Sequence, residues 1–321
     1  NIHLSLANYN RIYSMSFSAR NRSRYLQQLQ NEQFDLLVIG GGITGAGIAL
    51  DATARGLKVC LKEKDDFASG TSSRSTKLIH GGLRYLKQLE FGIVREVGQE
   101  RTILYKNAPH IVIPERMLLP IIDGGSLGKY STSLGLYVYD RLAGVEKEER
   151  RNMLSKEETM EQEPLLNTSI LKGGGMYVEY RSDDARLTIE VLKTAVEKGA
   201  LCLNYVEFSS FILTEQNTIK GAVVNRTNED KELKIKAKKI INACGPWVDD
   251  LRKKDNSLNK KRLHLTKGIH IVLAKEKLPI KQAVYFDVED GRMIFAIPRH
   301  NKIYIGTTDT NYQSNINFPY A

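Results

Sequence analysis

Residues Thr71 to Leu86 read TSSRSTKLIHGGLRYL, with two arginines, one lysine and one histidine set among small hydroxyls and glycines. These residue types handle anions and protons. Hydroxyls and backbone N–H groups donate to phosphate oxygens, and a guanidinium such as that of Arg84 grips a phosphate through two parallel hydrogen bonds. An imidazole such as that of His80 gains or loses a proton near neutral pH. Upstream, Gly40-x-Gly42-x-x-Gly45 is a second anion-handling device. Its glycines allow a tight turn, bring a diphosphate against bare backbone and let a helix pack closely on a strand. The plain alternatives are a basic solvated loop and a glycine-rich helix start without a ligand.

The flanking elements decide between those readings. FDLLVIGGG is an apolar strand, Asp35 to Ile39, running into three glycines, and ITGAGIALDATARG has helical spacing that stops at Gly56. LKVCLKEK is a second buried strand, so the opening is a β-α-β unit. Glu63 ends that strand roughly twenty residues after the turn, where a carboxylate accepts hydrogen bonds from ribose hydroxyls and repels a 2′-phosphate. A surface acid flanked by Lys62 and Lys64 is its bland alternative. A dinucleotide is expected, with its phosphates at a helix N-terminus and with Gly41, Ile43, Thr44 and Lys64 completing the first contacts. The fingerprint itself leaves FAD and NAD open. Two features lean toward FAD: the strand and turn IINACGPW, where Ala243, Gly245 and Trp247 come close to the ligand, and the β-meander ahead of it, which a plain NAD domain does not require.

Farther along, a helix is expected from about Gly92 to Ala108, and SKEE at Ser155 to Glu158 has the form of a capping box. DDARLTIEVLKTAVEKGA is an amphipathic helix with Leu187, Val191, Leu192 and Val196 on one face, capped by Asp183 or Asp184. ALCLNYVEF, FILTEQNTIKGAVVNR and KELKIKAKKIINACG form the meander, and the last third alternates as an antiparallel sheet does.

The chain has 321 residues, 41% of them hydrophobic and 26% charged, with a net charge of +10. That surplus points to an anionic membrane surface or an acidic small substrate. No basic run is interleaved with aromatics, so nucleic acid is not an expected partner. Cys60, Cys202 and Cys244 form no CxxC pair, which excludes a disulfide scaffold. No apolar run approaches the ~20 residues that span a bilayer. Met15 reads more naturally as a start, and residues 1–14 are expected to be disordered or extraneous. No metal site is expected.

With VEYRSDDARLTIEVLK, NACGPWVDDLR, LTKGIHIVL, DGRMIFAIPR and IGTTDT added to the two motifs, the chain resembles the FAD-dependent glycerol-3-phosphate dehydrogenases from about Phe34 to Thr310. The α-glycerophosphate oxidases are a close sister group. The resemblance implies an α/β fold of the D-amino-acid-oxidase type: a Rossmann-like FAD-binding domain with an inserted, mainly antiparallel-sheet substrate domain. The expected division is a tail and helix at 1–33, FAD-binding parts at 34–110 and 183–262, and substrate parts at 111–182 and 263–321. It further implies oxidation of sn-glycerol 3-phosphate to dihydroxyacetone phosphate, with electrons passed to a quinone at the cytoplasmic face of a membrane, or to oxygen in the oxidases. A homo-oligomer is compatible with it.

For site residues the resemblance implies that Thr71, Ser72, Ser73, Thr76, Lys77, Gly81 and Val206 join the FAD contacts. It puts His80, Arg84 and Tyr85 along the active site and Arg292 near the substrate phosphate, with His80 taking the C2 hydroxyl proton. His264 and His270 sit at strand positions as packing or hydrogen-bonding residues, His270 being the better outside candidate. Relatives continue for well over a hundred residues, with a further flavin segment and a helical C-terminal domain, so a fragment is expected. An amine or amino-acid oxidase and a non-catalytic FAD module are the alternatives. The oxidases' mid-chain insertion is not evident between Gly173 and Thr310, which favours the dehydrogenase.

Overall fold

The apolar run ahead of the glycines forms a strand whose alternate side chains feed two different cores: Leu37 and Ile39 enter one, Leu36 and Val38 the other. A strand buried on both faces is what a parallel sheet between layers requires. The computed structural model describes residues 16–80, 85, 90–125, 128–142, 149–226 and 232–319. Its elements run α1 (Arg22–Asn31), β1 (Gln33–Ile39), α2 (Ile43–Ala54), β2 (Val59–Lys62), β3 (Leu78–Ile79), α3 (Phe91–Asn107), β4 (Ile113–Ile122), α4 (Lys129–Leu142), β5 (Asn152–Leu154), α5 (Lys156–Gln162) and β6 (Leu171–Arg181). They continue as α6 (Asp184–Glu197), β7 (Leu201–Leu203), β8 (Val206–Leu213), β9 (Ile219–Arg226), β10 (Glu232–Asn242), α7 (Val248–Lys254), β11 (Thr266–Lys267), β12 (Ile271–Ala274), β13 (Ala283–Asp287), β14 (Met293–Arg299), β15 (Lys302–Gly306) and β16 (Thr310–Asn311).

Two compact units result. The first comprises residues 1–75, 184–265 and 315–318, and the second 76–183, 266–314 and 319–321. In the first, six strands lie in the order β7-β2-β1-β10-β9-β8; β7, β2, β1 and β10 are parallel, and β9 and β8 extend the sheet antiparallel. Tyr25, Leu26 and Leu29 of α1 pack into the core shared by Cys60, Leu203 and Phe208, while α2 and α6 cover the opposite face through Ala46, Ala49, Leu192 and Val196. The meander is present, but ALCLNYVEF is two strands rather than one. The chain turns at Tyr205, φ +52, whose N–H donates to the Asp65 carbonyl.

The second unit is built on a sheet ordered β12-β15-β14-β13-β4-β6-β3, antiparallel except where β13 meets β4. Helices lie directly on β6. A Cβ at Gly175 would stand 2.8 Å from Leu136 Cδ1 of α4, and one at Gly174 would stand 2.9 Å from Thr159 Oγ1 of α5. The capping box is made: Ser155 Oγ accepts from the Glu158 N–H at 3.1 Å, and Glu158 Oε2 from the Ser155 N–H at 2.7 Å.

The expected boundaries need correction. The division falls after Ser75, not after residue 110. Leu78 and Ile79 pair with Arg181 and Tyr180, and Arg101 of α3 is bonded to Glu179 of β6, so 76–110 is held by the second unit's sheet. Residues 16–33 are no separate tail, since α1 is part of the first unit's core. The segment 315–318 returns to that unit, where the Trp247 indole donates to Asn317. The expected disorder of residues 1–14 lies outside the described residues. Among the described residues, no helix is long and apolar enough to cross a membrane.

Candidate functional site

In the first unit the glycine turn is closed by backbone contacts. Gly40 lies at φ +115, which glycine adopts without a Cβ penalty, and a Cβ there would strike the Ala243 carbonyl. A Cβ at Gly45 would strike the Gly40 carbonyl, so α2 starts as close to β1 as two backbones allow. Gly40 N–H donates to the Lys62 carbonyl at 2.9 Å, and Gly41 N–H to Glu63 Oε2 at 2.7 Å. Glu63 Oε1 accepts the Asp65 N–H at 3.0 Å. A carboxylate offers about four acceptor sites, so Glu63 braces the turn and still has capacity for ribose hydroxyls.

The N-terminus of α2 suits an anion. Its N-cap is Gly42, with no side-chain cap, and no acid occupies the first turn, where Ile43 and Thr44 are exposed. Ser72 reaches across from the 3-10 turn Thr71–Ser73, and its Oγ accepts the Ile43 N–H at 2.9 Å. Acting as acceptor there, the hydroxyl keeps its own proton to donate to a phosphate. Ser73 donates to the Gly70 carbonyl at 3.4 Å, and Ser75 to Asp184 Oδ2 at 2.6 Å, fixing the turn to α6. A bare helix start, glycines without room for Cβ and a proton-bearing hydroxyl together fit a dinucleotide diphosphate.

The remaining first-unit candidates frame this turn unequally. Lys64 Nζ sits 4.8 Å over the Trp247 ring, and both residues donate to Asn317 Oδ1, at 3.3 and 2.8 Å. Gly245, at φ +54, begins the turn that carries Trp247. Val206 is buried, and its N–H is engaged by the Glu63 carbonyl at 2.8 Å. Cys244 donates to the Ile39 carbonyl at 3.3 Å, and burial pushes its thiol up to about 11, so it stays a neutral thiol.

The second unit holds the rest of the motif. Thr76 Oγ1 lies 3.0 Å from His270 Nε2, and the imidazole packs on Gly306, where a Cβ would stand 2.7 Å from Cδ2. Burial, and then the Lys77 charge, hold His270 below its ordinary value, so the ring is neutral at pH 7. Lys77 adopts φ +61, and its carbonyl accepts the Ser182 N–H at 2.9 Å. A non-glycine residue in this left-handed region is strained by about 1–3 kcal/mol and is common at functional sites. Pairing of β12 with β15 and of β11 with β16 brings TKGIH beside IGTTDT, where the Ile269 N–H donates to Thr308 Oγ1 at 3.0 Å.

His80 is exposed, its ring 6.4 Å from that of Phe295, which stacks on Tyr285 at 4.2 Å. Arg292 is engaged by its own neighbour: Nη2 and Nε meet Asp290 Oδ2 at 2.6 and 2.8 Å, and the Arg292 bond holds Asp290 below the usual carboxylate range. Tyr85 is exposed. Gly81 and Arg84 lie outside the described residues. The structure thus brings Ser72 to the glycine turn and Thr76 and Lys77 to His270, whereas it pairs Arg292 with a carboxylate. Among the described residues no cluster of metal-ligating side chains is present.

Lys62 was passed over in the sequence as a flank of Glu63, yet it is 3% exposed. The signal was strand parity: β2 is a four-residue strand, and Lys62 shares the face of Cys60, a core residue.

Residues 35–320 match the family described as FAD dependent oxidoreductase. Aerobic glycerol-3-phosphate dehydrogenase of Staphylococcus saprophyticus is 58% identical over 308 residues, 96% of this chain and 55% of that protein. The FAD complex of glycerol-3-phosphate dehydrogenase from Bacillus halodurans superposes with a TM-score of 0.79 at 49% identity, covering 95% of this chain and 53% of that one. The L-α-glycerophosphate oxidase of Mycoplasma pneumoniae with FAD bound, TM-score 0.62 and 21% identity, shares the fold. The chain spans about half the length of the curated relatives it matches.

Proposed function

The chain belongs to the FAD dependent oxidoreductase family, and from that premise we propose that the protein it represents is an FAD-dependent glycerol-3-phosphate dehydrogenase. It oxidises sn-glycerol 3-phosphate at C2 to dihydroxyacetone phosphate. The observation that carries the reading is the bond from the Ile43 N–H to Ser72 Oγ, which joins the Thr71–Leu86 motif to the glycine turn. The 58% identity to an aerobic glycerol-3-phosphate dehydrogenase supports the substrate.

The Gly40–Gly42 turn and the start of α2 at Ile43 cradle the FAD diphosphate, with the Gly42 N–H and the Ser72 hydroxyl as donors, and Glu63 holds the adenosine ribose. When bound, FAD supplies the hydride acceptor. His80, Arg84 and Tyr85, all beyond Thr76, bind and orient the substrate. Arg84 and Arg292 bind the substrate phosphate bidentately. Because Asp290 already engages Arg292, the substrate phosphate displaces that carboxylate when it binds. His80 accepts the C2 hydroxyl proton as the general base. A quinone at an anionic membrane surface takes the electrons, which the +10 charge supports.

Anaerobic addition of sn-glycerol 3-phosphate to the yellow full-length protein is expected to bleach the flavin, while amines and amino acids leave it oxidised. Bleaching by the amines alone, or by nothing, overturns the reading. Asp290→Asn is expected to lower the substrate KM and Arg292→Ala to raise it, with FAD content unchanged in both. A KM that stays put in both variants removes Arg292 from the phosphate site.

A further inference from the structure

We propose that Lys62, buried beneath the glycine turn, is a binding residue for the dinucleotide diphosphate and acts on it through the protein interior rather than by contact. The inference rests on the FAD reading above and adds to it a residue that neither fingerprint nor motif contains.

Its geometry is unusual for a lysine. Lys62 ends β2 with 3% of its surface exposed, on the face that carries Cys60 and Leu37 into the core. Its ammonium lies 5.5 Å from the centre of the Phe208 ring, and among the described residues it has no carboxylate within ion-pair distance. A buried cation without a bonded counter-charge is costly and is rarely retained without one. The main chain of Lys62 is itself part of the turn: its carbonyl accepts the Gly40 N–H, and Lys62 pairs with Ile39 across the strands. The ammonium is therefore within one side-chain length of the backbone that faces the diphosphate.

The other charges around it do not satisfy it. Glu63 is drawn to the Gly41 and Asp65 N–H groups, Glu207 points from an exposed position on β8, and Lys254 of α7 adds a like charge on the same Phe208 ring at 5.1 Å. The Cys244 thiol is neutral at pH 7. Burial, opposed by the Glu63 and Glu207 carboxylates and helped by Lys254, brings Lys62 down to about 8. A diphosphate arriving at the turn supplies the missing negative charge and favours the protonated amine. Binding near pH 8 to 9 is then coupled to proton uptake, and affinity falls once the free protein loses that proton.

The test uses full-length apoprotein and FAD itself, titrated calorimetrically at pH 8.5 in two buffers of different ionisation enthalpy, with affinity followed from pH 6.5 to 10. The substitution is Lys62→Met, which removes a buried charge while keeping an unbranched side chain. For charges ~10 Å apart at an effective dielectric of ~20, the variant is expected to bind FAD about tenfold more weakly at pH 7. The difference closes toward pH 10. Wild-type protein takes up a fraction of a proton per FAD at pH 8.5, and the variant takes up less. Equal affinity at pH 7, or equal proton uptake, overturns the proposal. A merely structural role would weaken binding equally at every pH and leave proton uptake unchanged. Failure of the wild-type apoprotein to take up FAD at any pH overturns the FAD reading first and this inference with it.

Discussion

Each unit buries a cation in its core, and the two are treated in opposite ways. Arg101 of the second unit, 1% exposed, donates through Nη1 to Glu179 Oε2 at 2.7 Å, to the Tyr139 hydroxyl at 2.7 Å and to the Val178 carbonyl at 3.1 Å. Its guanidinium also lies over the Tyr180 ring at 4.7 Å, and Tyr139 closes the loop by donating to Glu179 Oε1 at 2.9 Å. Lys62 of the first unit has an aromatic ring and, among the described residues, no bonded carboxylate. A cation whose charge is answered by the fold is structural: it ties α3 and α4 to β6. One left unanswered beside an anion site is held in reserve for the ligand, and its cost shows in the apoprotein.

Three changes break or sharpen that contrast. Arg101→Met leaves Glu179 as a buried charge without its counter-ion, so urea unfolding should show a loss of roughly 3–5 kcal/mol. Removing both partners, Arg101→Met with Glu179→Leu, should restore most of it; an equal loss in the double variant would make Arg101 a packing residue. Lys62→Met should act in the opposite direction. Because the folded-state value is lowered from 10.5 to about 8, the unfolded chain binds more protons between those limits. Stability therefore rises with pH through that window, and the penalty is complete below pH 8. At pH 7 the apoprotein variant should gain about 3 kcal/mol, an advantage that shrinks between pH 8 and 10.5 and is gone above that. A variant no more stable than wild type at pH 7 would mean that Lys62 is solvated or paired after all. Thr76→Val, which removes the bond to His270, is the smallest change. A loss of about 1 kcal/mol is expected from chemical denaturation, and no loss would show that the Gly306 contact alone seats the imidazole.

The first unit was the more legible of the two. Its turn is made of local rules: a strand, three glycines, a helix and an acid ending the next strand, each readable from residue type and spacing. Gly40 and Gly45 are glycine because backbone stands where a Cβ would go, and the pattern carries that requirement openly. Lys62 was legible in principle, through parity with Cys60, and was missed because a lysine beside an acid reads as surface. In the second unit, β3 and α3 read as a continuation of the first domain because no local signal marks Ser75 as an end. Their allegiance comes from Leu78 pairing with Arg181 and from Arg101 meeting Glu179, partners far away in sequence, 78 residues on in the second case.

The sequence by itself determined the elements whose stabilising contacts are near in the chain: the glycine turn, the α5 capping box and the amphipathic face of α6. It also carried the family's motifs. Tertiary structure alone decided which side chains answer one another: His270 on Thr76, Asp290 on Arg292, Asn317 between Lys64 and Trp247, and an aromatic ring, with no carboxylate among the described residues, on Lys62. The physical reason is range. Backbone geometry and helix caps depend on neighbours a few residues away, whereas the charge and protonation of a site depend on what the folded interior places around it and on how much water that interior excludes.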